Sequence, residues 1–414
     1  MYLYNLNRLL LILPFMLDPL STYRIQFHKE FTFSKLREII PYLNELGVKT
    51  IYASPIFEAV PGSMHGYDVV NPNKINPEIG TLEELRSISK DLKALGMRWI
   101  QDVVPNHMGF HQNNQWLMHI LKHGEASIYR KYFDIISQDL ENQPLMVPFL
   151  GDSLEEVIGK GELQLELNGK EAYLKYHDSL WPVRPDLARD LESMDIAEIA
   201  NEQYYRFCSH RETNRAINYR RFFTVNNLIC LNIQHKEVFN EYHLLTKSLL
   251  EEGIIDGLRI DHIDGLADPT AYLTNLRELC GDSAYIVVEK ILAQGEQLNV
   301  SWPIQGTTGY DYLGLVNQLF TNQKAEKKFD NYYADLGITI RSVEKEVLRK
   351  KRAFLENAME GELENLYQLF LSLNLLGKQQ TDPEYSATLS LFKDVIAELL
   401  IRFPVYRFYS SSYP

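Results

Sequence analysis

The 414 residues predict an α/β fold on parallel strands, a (β/α)8-type barrel that is incomplete in this chain, with a subdomain inserted after the third strand and a helical region at the carboxyl end. Three observations predict it. Short β-rich runs alternate with helices of apolar period from Tyr23 onward. Two of those runs end in a carboxylate, Asp261 and Glu289, 28 residues apart, with a loop, a helix and a loop between them. Finally, Asp261 lies 159 positions after Asp102, which is near the end of the third run, far more than one strand-to-strand connection requires.

Taken in order, Tyr23 to Phe27 reads as the first strand. A helix follows with Phe33, Leu36, Ile39, Ile40, Leu43 and Leu46 on its apolar side, stopped by Gly47. Val48 to Tyr52 is the second strand. Thr81-Leu82-Glu83-Glu84 is a capping box that opens a helix with Leu85, Ile88, Leu92 and Leu95 inward and Gly96 at its end. Trp99 to Val104 is the third strand. The strand-like stretches Gly161 to Tyr176 and Trp181 to Pro185 belong to the insertion. The fourth and fifth strands end at Asp261 and Glu289, and Trp302 to Tyr310 supplies a sixth. Beyond Tyr312 the pattern is helical and polar, with Leu-rich periods through Leu400, and nothing there reads as two further βα units.

The acid pair carries the chemistry. Strands of one parallel barrel deliver their last residues to the same rim, so Asp261 and Glu289 emerge together. Arg259 and Asp261, two residues apart, share a strand face, and a guanidinium beside a carboxylate favours its ionised, nucleophilic form. Glu289 leaves an apolar run, Ile286-Val287-Val288, where desolvation favours the protonated form that a general acid needs. Between them Asp268-Pro269 is a helix start, a capping acid followed by proline. Either acid alone reads more readily as a loop cap or a surface carboxylate; the pair at matched strand ends favours catalysis, and two carboxylates across a sugar are the equipment of glycosidic-bond chemistry. A tyrosine in the glycine-led turn Gly66-Tyr67-Asp68 is a plausible sugar platform and equally an ordinary turn residue packing on the core.

Composition bounds the partners. The net charge of −13 argues against nucleic acid and anionic membrane surfaces, which both require basic patches. Three scattered cysteines, Cys208, Cys230 and Cys280, fit a reducing cytoplasm. The pairs His107/His111 and His119/His123 have zinc-like spacing without the intervening Glu of a metalloprotease, so no metal is expected, and no glycine loop for a nucleotide cofactor is present. Leu9 to Leu17 is apolar and preceded by Arg8, but it is too short to span a membrane, is broken by Pro14 and has no small-residue cleavage site. It is expected to be a misassigned start upstream of Met16, a signal peptide being the alternative.

Gln101-Asp102-Val103-Val104-Pro105-Asn106-His107, Gly257-Leu258-Arg259-Ile260-Asp261-His262 and Val288-Glu289-Lys290 resemble three of the four signature regions of the α-amylase superfamily, glycoside hydrolase family 13. Ser21-Thr22-Tyr23-Arg24-Ile25-Gln26, the segment from Gly62 through His65 to Val69, Asn218 to Phe223 and Gln305 to Asp311 narrow the resemblance to a group within it, from about Ser21 to the end of the chain. That group converts the reducing-end α-1,4 linkage of maltooligosaccharides to α,α-1,1. The resemblance implies Asp261 as nucleophile, Glu289 as general acid/base, Arg259 as the partner of the nucleophile and Tyr67 as the platform under the attacked sugar. Asp102, Asn106 and His107 are implied for the wall beside it, and His65, Asp68, His262 and Lys290 for further substrate contacts. It implies no cofactor, and a trehalose-releasing hydrolase as the next enzyme. It also implies a third acid, in a Thr-His-Asp segment after a later strand, and the sequence holds no Thr-His-Asp. The chain is therefore expected to correspond to the amino-terminal part of a longer enzyme, complemented by a separate carboxyl-terminal polypeptide. The expected division is a leader over 1–20, barrel strands over 21–107 and 216–314, an inserted subdomain over 108–215 and a helical region over 315–414. A hydrolase or glucanotransferase on the same fold, and a non-catalytic glucan-binding remnant, are the alternative functions.

Overall fold

A computed structural model describes residues 18–169, 171–293, 295–338, 342–373 and 383–409. The leader up to Leu17, and with it the start at Met16, lies outside these residues.

The core is one six-stranded, wholly parallel sheet in chain order: β1 (Thr22–Ile25), β2 (Thr50–Ala53), β3 (Arg98–Val103), β4 (Gly257–Ile260), β5 (Tyr285–Val288) and β6 (Gly306–Thr307). Each strand hydrogen-bonds to the one before it, and a parallel sheet wound this way curls because neighbouring strands twist. The result is a half-barrel. Among the described residues no strand pairs with the outer edge of β1 or of β6, so the barrel is incomplete, as the sequence predicts. The sixth strand is far shorter than the expected stretch, two residues of Trp302 to Tyr310.

Two helices show how the local sequence dictates the layer outside the sheet. Helix α1 (Phe33–Glu45) buries Phe33, Leu36, Ile40 and Leu43, and the chain turns out of it at Gly47 with φ +86°, a conformation open to glycine without a Cβ clash. Helix α2 (Leu82–Ala94) starts with the predicted capping box: the Glu84 N–H donates to Thr81 Oγ1 at 3.2 Å and the Thr81 N–H donates back to Glu84 at 2.7 Å. Both helices and the sheet share a core that includes Phe27, Phe33 and Trp99, with Phe27 stacked on Trp99 at 5.9 Å.

The 153 residues from Val104 to Asp256 do not form one crossover. They fold into an antiparallel unit of Leu163–Asn168, Glu171–Tyr176 and Ser179–Pro182, and a parallel pair of Leu145–Leu150 with Tyr205–Ser209. Trp181, buried, stacks on Phe149 at 5.6 Å and joins these pieces. The strand His107–Gly109 pairs with Val225–Cys230, so the start of the excursion is stitched to a later part of it directly beyond β3.

After β6 the chain is helical: α3 (Tyr310–Leu319), α4 (Glu326–Asp335), α5 (Val343–Ala358), α6 (Glu360–Ser372) and α7 (Pro383–Arg402). None of the residues of α3 or α4 is buried, and Tyr312, Leu315 and Leu319 are 69, 68 and 78% exposed. An apolar helix face beside an open sheet edge is surface that a closed barrel would cover.

Candidate active site

The register of the sheet decides which residues meet. Arg259 lies abreast of Asp102 across β4 and β3, and Ile260 abreast of Val288 across β4 and β5, so the next residues, Asp261 and Glu289, leave the sheet side by side. All of them stand at the carboxyl ends of their strands.

One guanidinium gathers three carboxylates. Arg259 Nη1 donates to Asp102 Oδ1 at 2.9 Å and to Asp261 Oδ1 at 2.5 Å, while Nη2 lies 3.1 Å from Glu289 Oε1. Arg259 and Asp261 are buried and Asp102 is fully so; Glu289 keeps 25% of its side chain exposed. Burial therefore falls on Asp261 rather than on Glu289, the reverse of the sequence expectation, because the apolar neighbours of Glu289 pack into the sheet while its own side chain reaches Arg259. Burial pushes the Asp261 carboxyl up; the pull of Arg259 opposes this, and the Asp102 and Glu289 charges add to the rise. A guanidinium shared among three acids does not offset that burial. Arg259, in the field of the three, is held protonated.

Asp102 is satisfied on its other side by two phenols: Tyr52 and Tyr67 donate to Oδ2 at 2.8 and 2.6 Å. Tyr67 also accepts from Arg24 Nη2 at 3.3 Å, which fixes its ring at the mouth of the site. The turn that presents it needs glycine: Gly66 has φ +79°, and a Cβ there would lie 2.7 Å from the Pro55 carbonyl oxygen. His107 is buried against Phe222, with ring centroids 4.7 Å apart; its Nδ1 meets Asn106 Nδ2 at 3.2 Å, and its Nε2 has no hydrogen-bond partner among the described residues. Burial pushes the imidazole down to about 3, so it enters any reaction neutral.

The remaining predicted residues divide. The His262 backbone N–H donates to Glu289 Oε2 at 2.8 Å, and its ring lies edge-on to Phe222 at 4.9 Å. His65 tilts against Tyr67 at 6.1 Å, half exposed. Asp68 accepts from Ser63 Oγ at 2.6 Å and braces its own turn. Lys290 is turned away from the acid pair: its Nζ sits 3.3 Å from Asp264 and 2.7 Å from Glu296.

Sequence reasoning gave no role to Tyr52, Arg24, Phe222 or Tyr310. Tyr52 was findable, since it ends the second strand at the same rim. Tyr310 was not, because its place depends on a turn after β6; burial and then the nearby Glu289 charge push its hydroxyl up. The histidine pair His119/His123 packs ring to ring at 4.3 Å with Ser127 on His119 Nδ1, and no described group of three or more His, Cys, Asp or Glu could hold a metal ion.

The curled parallel sheet carries two rim carboxylates on one arginine, with a third buried acid and a tyrosine beside them, and residues 34–193 match the model of the alpha amylase catalytic domain. The chain belongs to the α-amylase superfamily. Within it, the relatives are more particular. A candidate maltooligosyl trehalose synthase of Mycobacterium tuberculosis is 35% identical over 326 residues, 77% of this chain and 41% of that protein. The maltooligosyltrehalose synthase from Arthrobacter ramosus superposes with a TM-score of 0.82 at 32% identity, covering 95% of this chain and 48% of that one. The hypothetical maltooligosyl trehalose synthase of Sulfolobus tokodaii superposes with a TM-score of 0.79 at 35% identity, covering 96% and 50%. The chain thus spans about half the length of the relatives it matches. No described helix is long and apolar enough to cross a membrane.

Proposed function

We propose that this site performs an intramolecular transglycosylation on maltooligosaccharides, turning the reducing-end α-1,4 linkage into α,α-1,1. The observation that carries the reading is the single guanidinium of Arg259 holding Asp261 and Glu289 on one wall of the rim. Two acids on one guanidinium stand on the same side of the cleft, which supports the retaining reading, for which carboxyls about 5–5.5 Å apart are expected. Asp261 attacks the anomeric carbon while Glu289 protonates the departing glucose, forming a glycosyl-enzyme. The glucose turns in place and attacks through its own anomeric hydroxyl, with Glu289 now taking the proton. Both steps invert, so the α configuration returns. Tyr67 supports the attacked ring, and His107 stays neutral in the wall beside it. The site works in the cytoplasm, and a trehalose-releasing hydrolase consumes its product.

The open sheet favours a second reading for the chain by itself: glucan binding without turnover, with catalysis restored by a separate polypeptide that closes the barrel and brings a third acid. The test is incubation with maltopentaose, following loss of reducing ends and the appearance of a non-reducing product. Asp261→Asn is expected to abolish conversion, and Glu289→Gln to slow it by about 10²–10⁴-fold. Conversion that survives Asp261→Asn places the nucleophile elsewhere; glucose release in place of isomerisation makes the site a hydrolase.

A further inference from the structure

The loop from Asp261 to Asp268 is held from outside the sheet by two arginines. Arg220, from the inserted segment, donates to the Gly265 carbonyl at 2.8 Å and is anchored by Asp134 at 2.6 Å. Arg407, from the segment after α7, donates through Nη1 to the carbonyls of Asp264 and Leu266 and through Nη2 to that of Ala267 at 3.0 Å. Four successive carbonyls, 264 to 267, therefore accept from guanidinium groups more than forty residues away in the chain. The Tyr409 hydroxyl donates to Asp264 Oδ1, and the other oxygen of that carboxylate takes Lys290. The Lys290 ammonium lies 5.6 Å from the centre of the Tyr409 ring, which meets Trp302 edge-on at 5.4 Å.

The loop needs such support because its conformation is strained. His262 has φ +45°, a left-handed backbone that a non-glycine residue adopts at a cost of about 1–3 kcal/mol unless its surroundings over-determine it. Gly265 is packed so closely that a Cβ would lie 2.2 Å from the His262 ring and 2.4 Å from Asn106 Oδ1. This strained His262 is the residue whose N–H donates to Glu289.

The geometry assigns to Arg407 and Tyr409 the role of positioning residues. They clasp the loop after β4 and through His262 set the aim of Glu289, the proton-transferring acid, toward an α-glucan. The assignment rests on the functional reading above, and its test separates the two. Arg407→Ala, Arg407→Lys and Tyr409→Phe are made in the 414-residue chain. Two donors are compared: maltopentaose, whose leaving sugar requires a proton from Glu289, and α-maltosyl fluoride, whose fluoride leaves without one, so that the rate of the first, pre-steady-state equivalent of fluoride reads only the attack by Asp261. Amide hydrogen exchange at 262–268 is followed in parallel. Arg407→Ala is expected to lower kcat on maltopentaose by about 10–100-fold with little change in KM, the scale on which proton transfer contributes. Fluoride release should stay within about threefold of wild type while exchange at 262–268 rises about tenfold or more. Arg407→Lys should recover part of the loss, because one ammonium cannot reach three carbonyls. Equal loss on both donors would reduce the clasp to a structural prop and overturn the assignment, as would unchanged exchange. If the wild-type chain releases no fluoride that Asp261→Asn abolishes, the functional reading fails for this chain; the clasp is then judged by exchange alone, faster exchange in Arg407→Ala supporting it and unchanged exchange overturning it.

Discussion

Asp261→Asn should stabilise the folded chain at pH 8 while abolishing its chemistry. The Asp261 carboxyl is buried beside Asp102 and Glu289 and shares one guanidinium with them, and burial first, then those charges, lift it from 3.8 to about 7. The sign follows from proton linkage. Between those two values the folded state binds a proton that the unfolded state has already lost, so stability falls as pH rises through the window and stays lower above it. At 1.36 kcal/mol per tenfold change the full window corresponds to about 4 kcal/mol. Because the charge is spread over three coupled acids, about 2–4 kcal/mol is the expected difference. Asparagine keeps the shape and removes the charge, mimicking the protonated acid, while Arg259 retains Asp102 and Glu289 as counter-ions. Urea unfolding followed by the emission of buried Trp99 and Trp181 at pH 4 and pH 8 measures it. The variant should match wild type at pH 4 and exceed it at pH 8. A gap of equal size at both values, or a wild type more stable at pH 8, would show that Arg259 outweighs burial and would refute the reasoning.

Two further outcomes are expected. Tyr52→Phe removes one of the two phenols that donate to the fully buried Asp102, and should lower stability by about 1–3 kcal/mol in the same unfolding assay, with Tyr67 left as the only phenol on Oδ2. Replacing Leu315 and Leu319 together by Glu should reduce self-association in size-exclusion chromatography with light scattering, without changing unfolding, because both side chains stand in solvent on α3.

Much of the half-barrel was legible because its signals are local. The capping box at Thr81, the apolar period from Phe33 to Leu43 and the glycines that end those helices depend on residues a few positions apart, and the observed elements start and stop there within a residue or two. The 28-residue spacing of Asp261 and Glu289 was equally local, one strand-helix-strand step whose parallel register brings the two residues abreast.

What sequence could not fix is what burial and distance decide. The charge balance of the rim was misjudged: Arg259 beside Asp261 reads as a simple ion pair, but tertiary packing brings Asp102, 157 residues away in sequence, and Glu289 onto the same guanidinium. Lys290 follows Glu289 directly in the chain, yet it faces Asp264 and Glu296, because successive residues at a strand end point to opposite sides. The clasp of Arg407 on the loop after β4 has no sequence signature at all. A guanidinium recognises backbone carbonyls that every residue carries, so only the folded chain, by bringing a segment about 140 residues distant against that loop, determines which carbonyls it meets.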